Sequence, residues 1–341
     1  MSASVTKPIV LRLGEVRQAQ KAWKQLEEIA TVLVADSPNR EEFIKDLKGK
    51  YSNVQYIART VASADQTGLF DEELISHLPK SVISVSHNGA GYDQVDPIAL
   101  AKKNIQLSNV PSLVDNATAD THVYLLLGAL RNFNLGHHAL LNGDWPSNPK
   151  AAGVPVAFDP EGKTVGIVGL GGIGRNILNK LKPFGFEKFI YYNRNKLPEE
   201  LENGAEYSSF DNLLATADII SINIPLNKHT HHLFNEEVFA KTKEGVVVVN
   251  TARGGVIDET AFIKYLKNGH IRSAGLDVVE NEPNPRRELV ELPNVLAIPH
   301  MGTHTHQTQK KMEEFVVKNI ENAIQTGKVI SLVPEQKSHE F

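Results

Sequence analysis

The 341-residue sequence contains no cysteine. That excludes disulfides, a catalytic thiol and any zinc or iron–sulfur centre built on thiolates. It also accords with a reducing compartment. Long apolar runs are missing too: none approaches the roughly 20 residues that cross a bilayer as a helix. The opening stretch MSASVTKPIVLRLG lacks the apolar core of a secretory leader and the arginines of a transit sequence, and the closing SHEF is not a peroxisomal address. A cytoplasmic location is the expectation. Charge of one sign is not in excess. The formal net charge of -4 gives no basis for nucleic acid or an anionic membrane as partner. Neither an internal repeat nor a low-complexity segment interrupts the chain.

What is present is the composition of an ordinary globular protein, with 41% hydrophobic and 22% charged residues. The length suffices for two domains, each with its own core. Short apolar runs (KPIVLRL, ATVLVA, VQYIART, SVISVSHNG) alternate with helical stretches such as REEFIKDLKG and DEELISHLP. This predicts an α/β unit with a parallel sheet. Near Asp115 the pattern becomes a long helix-compatible segment, NATADTHVYLLLGALRNFNLGHHALLNG, with Val123, Leu126, Leu127 and Leu130 on one face. After a Pro- and Gly-rich loop a second series begins: TVGIVGL, FIYYN, ADIISINI, GVVVVNTA, SAGLDVV and VLAIPHM. Several of these strands are apolar on both faces, as a sheet covered on both sides requires. DETAFIKYLKNG reads as a helix with Asp258 as N-cap, a Phe262–Tyr265–Leu266 stripe and Gly269 as its stop. A last helix lies within THQTQKKMEEFVVKNIENAIQTG.

Within the second series, Gly169, Gly171 and Gly174 form G-x-G-x-x-G between a buried strand and a helix pattern carried by Ile173, Ile177 and Leu181. That context is what a dinucleotide loop needs: a tight turn, a backbone able to approach a pyrophosphate, and helix amides facing the anion. The acid that usually follows at the next strand end, to bond the ribose 2′-OH, is absent. Asn193 and Arg194 stand there, with Lys196 close by. Asn removes a carboxylate that would repel a 2′-phosphate, and Arg offers that phosphate a donor fork. The expected coenzyme is NADPH, with NADH possible because Asn193 can still bond a hydroxyl. The alternative is that Arg194 and Lys196 are solvated loop charges.

Three further stretches carry chemistry at strand ends, where ligands of open α/β sheets bind. VVVVNTARGGVID presents Arg253, suited to hold a carboxylate. SAGLDVVENEP presents Asp277 and Glu282, and VLAIPHMGTHT presents His300. A His with a carboxylate partner is an acid/base tunable near neutral pH.

Together VGLGGIGRN, NTARGGVID, AGLDVVENEP and PHMGTHT, with SHNGAGYDQVD and NATADTHVYLLLGALRN, resemble the D-isomer-specific 2-hydroxyacid dehydrogenase family, in its fungal glyoxylate/hydroxypyruvate reductase branch. The resemblance spans nearly the whole chain. It implies two doubly wound parallel-sheet domains, with a Rossmann coenzyme domain (118–303) inserted in a discontinuous flavodoxin-like substrate domain (1–117 and 304–341). It implies Arg253, Glu282 and His300 as the catalytic set, with His300 protonating the alkoxide that hydride transfer creates. Thr118, Gly169, Leu170, Gly171, Gly172, Ile173, Gly174, Asn193, Arg194, Pro225, Thr230, Thr251, Ala252, Asp277 and Gly302 would border the coenzyme, with Asp277 on the nicotinamide carboxamide. Ala90 and Gly91 would offer amides to the substrate carboxylate. A homodimer is implied, with contacts from the long helices and the segment near Trp145. Asp120 and Thr303 depart from the commonest family pattern, and Glu rather than Gln at 282 argues against formate dehydrogenase. Bulkier acids of the mandelate/phenylglyoxylate type are an alternative substrate. A dinucleotide-sensing corepressor-like protein is the rival outside enzymology.

Other residues have plainer readings. Arg59 is either a substrate contact or a solvated loop charge. Trp145 is expected to pack. His229, His231 and His232, like His304, His306, His137 and His138, are expected to be exposed or capping, with no metal. Adjacent histidines in a helix point apart, and no acidic or Cys ligand accompanies them at metal spacing.

Overall fold

The computed structural model describes residues 7–341; residues 1–6, part of the opening stretch inspected above for leader signals, lie outside them. The chain divides into two units, the residues up to Val114 with Thr305–Phe341, and Asp115–His304.

The first unit holds five parallel strands: β1 (Ile9–Leu13), β2 (Thr31–Val34), β3 (Tyr56–Thr60), β4 (Ser84–Asn88) and β5 (Gln106–Ser108). Their order is β2-β1-β3-β4-β5, the flavodoxin-like arrangement. Leu11, Ile57, Val85 and Leu107 from the sheet, and Phe43, Phe70 and Leu74 from its cover, are wholly buried and form its core. The Arg40–Leu47 and Glu72–His77 helices start where Asn39 and Asp71 accept the amides of Glu42 and Leu74, caps worth about 1 kcal/mol each. The His306–Thr326 helix is capped by Thr305, ends on left-handed Gly327, and buries Met312, Val316, Val317 and Ile320 against this unit, packing on β3 and β4.

The second unit holds seven parallel strands: β6 (Thr164–Val168), β7 (Lys188–Tyr192), β8 (Glu206–Tyr207), β9 (Ile219–Ile222), β10 (Val246–Asn250), β11 (Ile271–Leu276) and β12 (Val295–Ala297). The order β12-β11-β10-β9-β6-β7-β8 is the Rossmann order extended by one strand. Every residue of β9 and β10 is buried, which is why these stretches read as unbroken apolar runs. Asp258 caps the Glu259–Lys267 helix by accepting the amides of Thr260 and Ala261.

Two sequence expectations need correction. The long segment after Asp115 is not one helix. It breaks between Asp115–Arg131 and Phe133–Leu141, where Asn132 adopts a left-handed conformation with φ 56°. Apolar periodicity runs through the break and hides it. Trp145 does not pack into a core: it is 55% exposed. The short strands β5 and β8 are too brief to leave a periodic signal.

Candidate active site

The second unit gathers its chemistry at the carboxyl ends of its strands. At the turn after β6, Gly169 has φ 97°, and a Cβ there would lie 2.7 Å from the Asn223 carbonyl; only glycine fits. The Gly169 amide donates to the Tyr192 carbonyl at 2.9 Å, and the Leu170 amide to Asn193 Oδ1 at 2.8 Å. Asn193 is therefore a fixture of the loop as well as a neutral residue where an acid is usual. Gly171, by contrast, faces open space, with nothing within 4 Å of a Cβ built on it. Gly172, Ile173 and Gly174 open the Gly172–Leu181 helix, whose first-turn amides have no intrahelical acceptor. Beside the loop, at the strand-order reversal between β6 and β9, Asn223 Oδ1 is buried without a hydrogen-bond partner. An open glycine face, helix amides and an orphaned acceptor at the switch point fit a dinucleotide. Arg194 is exposed, and Lys196 lies 3.7 Å from Glu202. Asp120 pairs with Lys180 of the loop helix at 2.7 Å.

Arg253, Asp277 and His300 follow β10, β11 and β12, three neighbouring strands. The Asn250 side chain shapes the first of these turns, donating to the Arg253 carbonyl and accepting from the Ala252 amide, both at 2.9 Å. Asp277 is buried, and its carboxylate takes the amides of Met301 and Gly302. Burial raises its pKa, and those amides oppose the rise. His300 itself has φ 51°. Its Nδ1 lies 2.7 Å from Glu282 Oε2, and Glu282 Oε1 accepts the Val279 amide at 3.1 Å. The hydrogen bond to Glu282 raises the His300 pKa above its ordinary 6.5, against desolvation; the charge of Arg253 also pulls it down. The arrangement can hold an anion, and can hold and release a proton.

The remaining expected residues of this unit fall around the same strand ends. Thr118 lies under Gly302. Thr230 donates to the Pro225 carbonyl at 2.6 Å. Thr251 is buried and engaged by His122, a residue that sequence reasoning missed. His122 is wholly buried, with Nδ1 2.9 Å from Thr251 Oγ1 and Nε2 2.9 Å from Ser221 Oγ. Burial pushes its pKa down to about 3, so it is neutral. The available signal was a histidine in line with Thr118 and Leu126 on an apolar helix face.

Arg59, Ala90 and Gly91 belong to the first unit. Arg59 is not a solvated charge. It is 1% exposed, 3.1 Å from His87 Nδ1, 2.9 Å from Gln94 Oε1, and lies over the Phe70 ring. Burial lowers its pKa to about 10. His87 Nε2 reaches the Gly91 carbonyl at 2.9 Å and Asn109 donates to the Ala90 carbonyl at 2.7 Å, so the turn that bears Ala90 and Gly91 is held in place.

Comparison with known proteins matches residues 123–302 to the family described as D-isomer specific 2-hydroxyacid dehydrogenase, NAD binding domain. The chain is 56% identical to Glyoxylate reductase 1 of Saccharomyces cerevisiae, over 98% of this chain and 97% of that protein. A glyoxylate reductase structure from Paecilomyes thermophila superposes with TM-score 0.93 at 44% identity, covering 97% of this chain and 99% of the other. Holo D-mandelate dehydrogenase of Rhodotorula graminis gives TM-score 0.91 at 32% identity, covering 97% and 98%.

Proposed function

Because the chain belongs to the D-isomer-specific 2-hydroxyacid dehydrogenase family and is an oxidoreductase, we propose that it reduces a short 2-oxo acid, glyoxylate or hydroxypyruvate, to the D-2-hydroxy acid with NADPH. The observation that carries this reading is the Glu282–His300 pair at 2.7 Å, formed between the turn after β11, which also bears Asp277, and the end of β12, with Arg253 at the end of β10 on the other side of β11.

The Gly169–Gly174 loop and the Gly172–Leu181 helix would hold the pyrophosphate, with Pro225, Thr230, Thr251, Ala252 and Asp277 along the remainder. When bound, the reduced nicotinamide supplies the hydride. Arg253 binds the substrate carboxylate and polarises its carbonyl. His300 donates its proton to the oxygen that becomes the alcohol. Glu282 fixes the imidazole by Nδ1 and stabilises its charged form. Placing these groups in advance, rather than reorganising solvent, is the main source of acceleration. In the first unit, Ala90 and Gly91 are amide donors for a carboxylate, and Arg59 acts by holding His87 under their turn.

Coenzyme choice falls to Asn193 and Arg194. Exchange of Asn193 for Asp keeps an acceptor for the Leu170 amide while restoring the charge that repels a 2′-phosphate. Asn193→Asp with Arg194→Gln should shift the NADPH/NADH ratio of kcat/KM toward NADH by roughly tenfold to a hundredfold, the worth of a charge-assisted bond. A panel of glyoxylate, hydroxypyruvate and phenylglyoxylate with both coenzymes, followed by loss of reduced-nicotinamide absorbance, tests the whole assignment. The short acids with NADPH should turn over fastest. Preference for phenylglyoxylate would favour the second reading, supported by the likeness to D-mandelate dehydrogenase. No turnover with any 2-oxo acid would end the reductase assignment.

A further inference from the structure

Outside the Arg253–Glu282–His300 set, one group of metal-ligating side chains is gathered tightly. His231, His232 and Glu280 each bring one ligand atom within 4.8 Å of the others, the one such cluster among the described residues. The sequence argued against it, since adjacent side chains in regular structure point apart. The structure corrects both grounds of that argument. His232 has φ 50°, a left-handed conformation that is unfavourable for a residue with a Cβ. Its ring thereby comes to lie on that of His231, with centroids 3.9 Å apart and planes at 21°. The missing acid arrives through the fold: Glu280, from the turn after β11, is in hydrogen-bond contact with His232 Nε2.

The surroundings over-determine this arrangement. The His231 amide donates to the Asn227 carbonyl and the His232 amide to the Gly255 carbonyl, both at 2.9 Å. The Glu280 amide donates to Glu259 Oε1 at 2.8 Å. Glu259 is itself buried, and its Oε2 has no hydrogen-bond partner. Arg286 spends its donors on Thr260 and Glu288 instead. Two carboxylates and two imidazoles thus meet around this turn. Backbone strain kept in place by its neighbours points to function.

We propose that His231, His232 and Glu280 bind one divalent transition-metal ion of the zinc class, with water completing the shell. Two imidazoles and a carboxylate are the ligands that Zn2+, Ni2+ and Cu2+ take; Mg2+ and Ca2+ select oxygen. Three protein ligands leave a position for water. The ion takes the place of the proton between His232 and Glu280, and the exposed His231 side chain closes onto it. It joins the turn at 230–232 to Glu280, two residues before Glu282. The proposal rests on these side chains and stands apart from the reductase assignment.

Isothermal titration of the full-length, chelator-treated protein with ZnCl2 at neutral pH tests it. We expect one ion per chain, with proton release. His231→Ala and Glu280→Gln should each weaken binding at least about tenfold, whereas His229→Ala and His306→Ala should leave it unchanged. His231 is exposed, so its variant should keep the wild-type circular dichroism and metal-free turnover. Absence of stoichiometric binding overturns the proposal. So does binding that survives His231→Ala or is lost in His229→Ala or His306→Ala.

Discussion

At His300 the two ring nitrogens have separate tasks. Nδ1 is committed to Glu282 at 2.7 Å, and in the proposed mechanism Nε2 is the nitrogen that carries the proton given to substrate. The hydrogen bond to Glu282 holds the charged form to a pH above the ordinary 6.5. The proposed reduction uses that form, so its kcat/KM should be level on the acid side and fall as pH rises through the raised value. The pair's contribution to stability has the same sign: complete below the ordinary value and lost as pH climbs through the folded one. Glu282→Gln should move the alkaline limb of the kcat/KM profile to lower pH, and an unmoved limb would take Glu282 out of this role. His300→Ala should lose at least about a hundredfold in kcat while titration of coenzyme fluorescence shows binding retained. Near-normal turnover would remove His300 as the acid.

Between elements, His122 does the fastening. It ties the Asp115–Arg131 helix to the end of β9 through Ser221 and to the end of β10 through Thr251, two residues before Arg253. Its pKa lies near 3 against an ordinary 6.5, so protonation favours the unfolded chain. Stability should therefore fall as pH drops from about 6.5 toward 3, by up to about 1.4 kcal/mol per unit from this residue. His122→Gln should lower stability at neutral pH by about 1–3 kcal/mol, the cost of buried hydroxyls left imperfectly paired, and should flatten the acid dependence. Urea unfolding at several pH values measures both. Equal slopes for the two proteins would show that His122 is not the acid-sensitive fastening.

For the molecule as a whole, the described residues include no helix long and apolar enough to cross a membrane. They do include a run of exposed apolar side chains: Phe133, Leu140, Leu141, Trp145, Val156 and Phe158. Leu140 and Trp145 line a shallow depression with Pro146 and Pro149. Exposed apolar surface of this kind marks an interaction face, and we propose a second copy of the chain as its partner. Sedimentation equilibrium should give twice the chain mass for the wild type and about the single mass for Leu141→Asp combined with Trp145→Ser. A wild-type monomer would end the dimer assignment.

The sequence by itself determined the fold class, the strand-to-helix glycine loop and the polar residues at the strand ends. These signals are local: a buried parallel strand needs apolar residues on both faces, and a tight turn after it needs glycine at 169. It also disclosed the missing acid at 193, because a strand end is found by counting along the chain. Only the tertiary structure decided what each polar atom meets. Asn193 turned out to bond the loop it follows, Arg59 to be buried on His87, His122 to join two strand ends, and Glu280 to reach the paired histidines. Those partners lie from 23 to 129 residues apart, and hydrogen-bond partners at such separations leave no periodic trace. They are chosen by which strands lie side by side, and strand order is a property of the packed sheet.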